Sequence, residues 1–270
     1  MRRGPGIQAL RDAAMERLDD DPDEAVRLAR EALGREPDAE SHYVLGLALS
    51  AQGDDAASRD SFARATVLDP THADAWVALG QAQFERLELE AACSAAHQAL
   101  RLDPFHPDAH VLRAWVRERR MDEEGAARDY QAAALVDPER HPVPPVLDDA
   151  TLEAIAHDVL SSLHPTLQRA MRDVHIVIHD VPADALLAEF DPPARPQELL
   201  GCFQGPTLPE RSSPDPWAAL PATIFLFRCN LARIARDRDE LLSELRVTLL
   251  HEIGHYLGLD EAALAARDLD

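Results

Sequence analysis

The sequence predicts an all-α array of stacked helix pairs followed by a small α+β domain, two domains in one chain. Three observations predict it. Asp-Pro steps recur at Pro70, Pro104 and Pro138, a constant spacing of 34 residues. Pro138, Pro142, Pro144 and Pro145 then crowd into one short stretch that cannot continue a helix. Beyond it the apolar period changes, and the β-branched alternation of DVHIVIHDV lies between helical segments. At 270 residues, with 46% of side chains apolar and 28% charged, the chain can bury a core in each part.

The formal charge is −22, and acids outnumber bases in both halves. No basic footprint exists for nucleic acid or for an anionic membrane surface, so neither is an expected partner. Apart from histidine, every basic residue is arginine. The opening MRRGPGIQALRDAAMERLDDD begins with a positive pair, but no apolar run follows it and no later segment has the length of a membrane span. The expected location is therefore the cytoplasm. Cys93, Cys202 and Cys229 are too few and too scattered for a disulfide framework or a cysteine metal site, and read as small buried hydrophobes.

Within the first part, residues 1–140, Leu45, Gly46, Phe62 and Ala65 stand at the same offsets before Pro70 as Leu79, Gly80, Ala96 and Ala99 before Pro104. Trp76 supplies the large aromatic of its helix. The last unit is looser: Ala114, Ala126, Tyr130 and Ala133 keep the pattern, but Arg113 and Ala114 replace the Leu-Gly pair. Small residues let the two helices of a unit approach, and the Asp-Pro step stops the second helix. One such pair cannot bury its own apolar face, so pairs must stack. The pattern resembles the tetratricopeptide repeat family over about 6–138, with three units at 39–138 and a degenerate pair at 6–37. That resemblance implies a right-handed solenoid whose concave face takes a peptide or a protein partner. Many such arrays clasp a peptide carboxylate with lysines and arginines. This one has no lysine, so a different ligand chemistry or an intramolecular role is expected.

A proline-rich linker at 141–149 leads to the second domain, 150–270. Leu152, Ile155, Val159, Leu160 and Leu163 have helical spacing. The strand DVHIVIHDV follows, then two more strand candidates, LLGCFQG and ATIFLFRCN, separated by the irregular loop PTLPERSSPDPWAALP. Asp237 and Glu240 form a capping box for a final long helix, whose Leu242, Leu245, Leu249, Ile253 and Leu257 should face the core.

That helix carries His-Glu-x-x-His. His251 and His255, four apart, project side by side and can reach one metal ion. Glu252 is rotated out of the first shell, where it can serve as general base towards an activated water. Zn2+ suits the donors and would acidify that water and polarise a peptide carbonyl. Gly258 is placed to end the helix in a left-handed turn. Three weaker candidates remain: His175 and His179 on one strand face, Cys202 as a cap on the metal, and the strand TIFLF as an edge for substrate.

The stretch of about 150–263, with LLGCFQG, PATIFLFRCNL and TLLHEIGHYLGLDE, resembles the minimal zincin-like metallopeptidases, a small bacterial family. Its pattern His-Glu-x-x-His-x-x-Gly-x-x-acid implies Glu261 as the third metal ligand, ten residues after His251, with Asp260 as the alternative. The resemblance implies a zinc metallopeptidase acting on a protein or peptide substrate, and the repeat domain is expected to recruit or gate that substrate. The alternative is an interaction scaffold whose zinc domain is structural or inactive.

Overall fold

The structure, a computed structural model, describes residues 6–212 and 220–266, and the chain divides into two compact units, Met1–His141 and Pro142–Asp270. The first unit is helical throughout its described residues. Its described helices are α1 (Ile7–Met15), α2 (Pro22–Arg35), α3 (Ala39–Gln52), α4 (Asp55–Leu68), α5 (Ala73–Glu85), α6 (Leu89–Leu102), α7 (Pro107–Arg119) and α8 (Glu123–Val136). Each packs mainly on its neighbours in sequence, as a stacked array requires. The aspartates that open the helices explain where they begin: Asp21, Asp38, Asp54 and Asp122 each accept a bond from a first-turn backbone N–H. His72 and His106 cap α5 and α7 through Nδ1. Their Nε2 atoms reach back to the preceding pair, to Glu40 at 3.2 Å and Asp74 at 3.1 Å.

The irregular last unit has a physical reason. Arg113 stands where the earlier units have Leu45 and Leu79, and instead of packing apolar surface it meets Asp129, which is 2% exposed. The Asp129 carboxylate accepts from Arg113 Nη2 at 2.5 Å and Arg117 Nη1 at 2.7 Å, with His110 Nδ1 at 3.2 Å. A buried ion cluster thus replaces an apolar contact between α7 and α8.

The second unit opens with α9 (Asp149–Ser162) and α10 (Pro165–Ala170). The helical pattern that reads as one run in sequence breaks before Pro165, whose ring suits the first turn of a new helix. The strands β1 (Val174–His179), β2 (Gly201–Gln204) and β3 (Ala222–Phe227) form a sheet in the order β1-β3-β2. β3 runs parallel to β1, with Ile176 opposite Ile224, and antiparallel to β2, with Cys202 opposite Phe225. Between β1 and β2 lies α11 (Asp184–Leu187); α12 (Arg228–Ile234), α13 (Arg238–Tyr256) and α14 (Glu261–Ala265) follow β3.

Four expectations are corrected here. The sequence RCN after ATIFLF begins α12 and does not extend the strand. Glu210–Ser212 form a 3-10 turn in the loop expected to be irregular, of which residues 213–219 lie outside the described residues. The strand TIFLF is central and paired on both sides, so it offers no edge. On α13 the buried stripe is Leu241, Leu245, Leu249, Ile253 and Tyr256, with Leu257 partly buried against the same core as expected, while Leu242 is partly buried and does not join it. Steps of four drift around a helix of 3.6 residues per turn, and the final step of three to Tyr256 corrects the drift. The stripe packs on Leu152, Val159, Ile224 and Leu231. Asp237 caps the helix as the sequence predicts, accepting from the Glu240 N–H at 2.9 Å.

Candidate metal centre

The last two turns of α13 carry His251, Glu252 and His255. The Nε2 atoms of the histidines stand 3.0 Å apart, with their rings edge to face. His255 is oriented by the Leu259 carbonyl, 3.1 Å from its Nδ1, an arrangement that places the proton on Nδ1 and leaves Nε2 as a lone pair.

The chain returns over this pair by a tight turn. Gly258 has φ of 85°, the left-handed conformation that ends a helix. Its N–H donates to the His255 carbonyl at 2.9 Å and the Leu259 N–H to the Gly254 carbonyl at 3.0 Å, the two bonds of a Schellman turn. Asp260 then caps α14, accepting from the Ala263 N–H at 2.8 Å. Its neighbour Glu261 faces the histidines, with Oε1 3.3 Å from His255 Nε2 and Oε2 3.7 Å from His251 Nε2. The turn therefore separates the two acids: Asp260 holds the helix and Glu261 meets the imidazoles. α14 can lie this close because Gly254 has no side chain; a Cβ there would fall 2.2 Å from Cδ2 of the fully buried Leu264.

The donor set fits Zn2+. Two imidazole nitrogens and a carboxylate oxygen lie within 4.8 Å of one another. Two lone pairs 3.0 Å apart repel unless a cation or a proton lies between them. On a tetrahedral ion with bonds of about 2.05 Å, two such nitrogens would be about 3.3 Å apart, close to what is seen.

Glu252 is 6% exposed and points towards β2. Burial raises its carboxyl above the ordinary range, opposed by His255, by His251 and by the Phe203 backbone N–H. β2 approaches this closely because of Gly201, where a Cβ would lie 2.8 Å from Thr248 Cγ2 and 3.3 Å from Glu252 Cγ. The Phe227 N–H donates to the Leu200 carbonyl at 2.9 Å. By antiparallel alternation Cys202 and Gln204 also bond to β3, while the backbone groups of Gly201 and Phe203 face outward along the open edge. A cleft of about 790 Å³ runs between this edge and α13.

The weaker candidates do not join the metal-holding group, although Cys202 lines the cleft. Cys202 alternates with Gly201, so its side chain turns to the other sheet face and packs with Leu186 and Phe227. Burial, with Glu252 and Glu189 adding to it, pushes its thiol up to about 12, which suits an inert hydrophobe better than a metal cap. His175 and His179 are exposed on β1, the far edge of the sheet, where His179 stacks on Phe225. Among the described residues they join no metal-holding group. Sequence reasoning missed Gly201, the Phe203 N–H, the Leu259 carbonyl and the Leu264 seat. The one available signal was Gly254 inside HEIGH, a helix-interior glycine that calls for a packing reason.

Residues 171–270 match the family model for zincin-like metallopeptidases, and residues 19–73 match that for the tetratricopeptide repeat. No curated protein matches the chain. Similar solved structures include a crystal structure of MamA, 24% identical over 54% of this chain and 80% of that one, with a TM-score of 0.41. Another is MamA 41-end from Desulfovibrio magneticus RS-1, 21% identical over 57% of this chain and 81% of that one, TM-score 0.43. A third is TTC0263, a thermophilic TPR protein in Thermus thermophilus, 18% identical over 62% of this chain and 87% of that one, TM-score 0.46. The chain thus joins a segment that matches the tetratricopeptide repeat to one that matches the zincin-like metallopeptidases.

Proposed function

We propose that this protein is a zinc-dependent metallopeptidase whose repeat unit recruits or gates a protein or peptide substrate. The observation that carries the reading is the convergence of His251, His255 and Glu261 within 4.8 Å beside a buried Glu252 in an open cleft. His251, His255 and Glu261 would hold the ion, which when bound acidifies water and polarises the scissile carbonyl. Glu252 takes a proton from the attacking water and returns it to the leaving amine. Burial keeps its proton affinity high enough for that exchange, and the Phe203 N–H fixes the carboxylate. The outward backbone groups of Gly201 and the outward carbonyl of Phe203 on the β2 edge offer an extended substrate hydrogen bonds that also exclude water.

The match to an interaction repeat favours a second reading, a scaffold around a structural or inactive zinc site. One experiment separates the two. Glu252→Ala should leave one zinc per chain bound and lower hydrolysis of an unbiased peptide pool by about 100-fold or more. Unchanged turnover in that variant excludes the peptidase reading, and a wild-type protein that binds zinc and cleaves nothing supports the scaffold.

A further inference from the structure

We propose that the cleft selects cationic peptides, and that Glu244 and Glu198 flank a subsite for an arginine or lysine side chain near the scissile bond. The position relative to a cleaved bond rests on the peptidase reading, and the ligand charge rests on the cleft alone. Along α13, Glu244, Val247, His251 and His255 share one face by helical spacing. All four line the cleft, so they form a row along its floor. Glu244 lies about 10 Å from His251 along the helix axis, the span of about three extended residues. Gly201 meets Thr248 and Glu252 and Phe203 meets Tyr256, so the chain runs along α13 and Leu199 and Glu198, which precede Gly201 and line the cleft, lie towards the Glu244 end. Leu199 and Val247 present apolar walls, and Glu198 and Glu244 present carboxylates. That combination suits a long aliphatic stem with a charged head.

Glu198, Glu244, Asp260 and Glu261 all line the cleft, and no arginine does among the described residues. Asp260 is engaged as a helix cap and Glu261 belongs to the metal-holding group, so the charge left for a ligand is that of Glu244 and Glu198. Glu244 is half-buried and makes no hydrogen bond or ion pair among the described residues. Arg246, beside it on α13, is held by Asp158 at 2.7 Å. Glu198 has only the long contact from Arg195 Nη1, at 3.4 Å on the surface, among the described residues. A basic side chain entering between the two glutamates gains charge-assisted bonds where a neutral one leaves carboxylates facing apolar walls. The net charge of −22 draws the same ligands from a distance.

The test uses the full-length chain loaded with zinc and labelled peptides identical except for one position, which holds arginine, norleucine or glutamate. Binding is read by fluorescence anisotropy in the Glu252→Ala background, and cleavage in the wild type. The arginine peptide should bind about tenfold more tightly than norleucine, with glutamate weakest, the scale of a charge-assisted bond discounted for exposure. Glu244→Gln with Glu198→Gln should bring the arginine and norleucine peptides within about twofold, as should about 0.5 M salt. Equal binding of the three peptides overturns the inference, even where cleavage shows that the peptidase reading holds. So does an arginine preference that survives the double substitution, since the array would then be the source. An arginine preference that depends on the two glutamates, without cleavage of any peptide, supports the cationic cleft and removes the peptidase reading.

Discussion

Replacing Leu264 by alanine should weaken zinc binding although Leu264 touches no metal. α14 has five residues, too few to hold a helix in water by its own bonds, so its place depends on packing. Leu264 is fully buried and occupies the space that Gly254 leaves open on α13. Trimming a leucine in such a seat costs about 2 to 5 kcal/mol. At about 1.4 kcal/mol per decade, even the lower figure moves the docking equilibrium of α14 about 30-fold towards the open state. Glu261 leaves the histidines with it, and supports of this kind typically govern about 10- to 100-fold in metal affinity. Competition for zinc against a chromophoric chelator should therefore show a loss in that range for Leu264→Ala, with the urea midpoint of the domain little changed. Leu264→Met, which keeps the volume, should stay within about threefold. Wild-type affinity in Leu264→Ala would refute the seat as the device that positions Glu261.

The two acids should rank differently in the same titration: Glu261→Ala removes a proposed ligand, whereas Asp260→Ala removes a helix cap worth about 1 kcal/mol and should cost less than about fivefold. The reverse ranking would make Asp260 the ligand. Asp129→Ala leaves Arg113 and Arg117 without their shared counter-ion and should lower the stability of the last repeat unit by about 3 kcal/mol, read by urea denaturation of the full chain; a loss below about 1 kcal/mol would show the cluster to be solvent-screened. The His106–Asp74 link predicts a pH effect. Its bond to Asp74 raises the histidine, so that contribution is complete below 6.5 and fades as pH climbs through the raised value; Asp74 is lowered, so its share is complete above 3.8 and fades in more acid solution. His106→Asn keeps a capping side chain but cannot carry charge, and should destabilise the array more at about pH 5.5 than at about pH 8.5. Equal losses at both would show that the link is not ionic.

The helix pairs were legible because each Asp-Pro step stops a helix in a way that depends on the local chain alone, and a fixed period repeats that stop. His251 and His255 meet for the same kind of reason, since a spacing of four on a helix settles their contact. Strand order was not legible. ATIFLF is the longer and more apolar strand, yet which strand lies at an edge depends on partners far away in sequence, and the open edge proved to be the short GCFQ. Nor was α14, whose five residues carry almost no periodic signal and whose place depends on a gap in another helix. Arg113 read as a weakened repeat because its partner Asp129, sixteen residues on, is itself an ordinary surface residue type.

The Schellman turn after α13 places His251, His255 and Glu261 within eleven consecutive residues. A ligand set so compact does not need the native fold to bring it together: an unfolded chain has only a short loop to close before the same three side chains surround an ion. Zinc should therefore have appreciable affinity for the denatured chain, where a site assembled from distant segments would have little. Since a ligand stabilises only by its preference for the native form, adding zinc should raise the melting temperature by less than its native affinity alone implies.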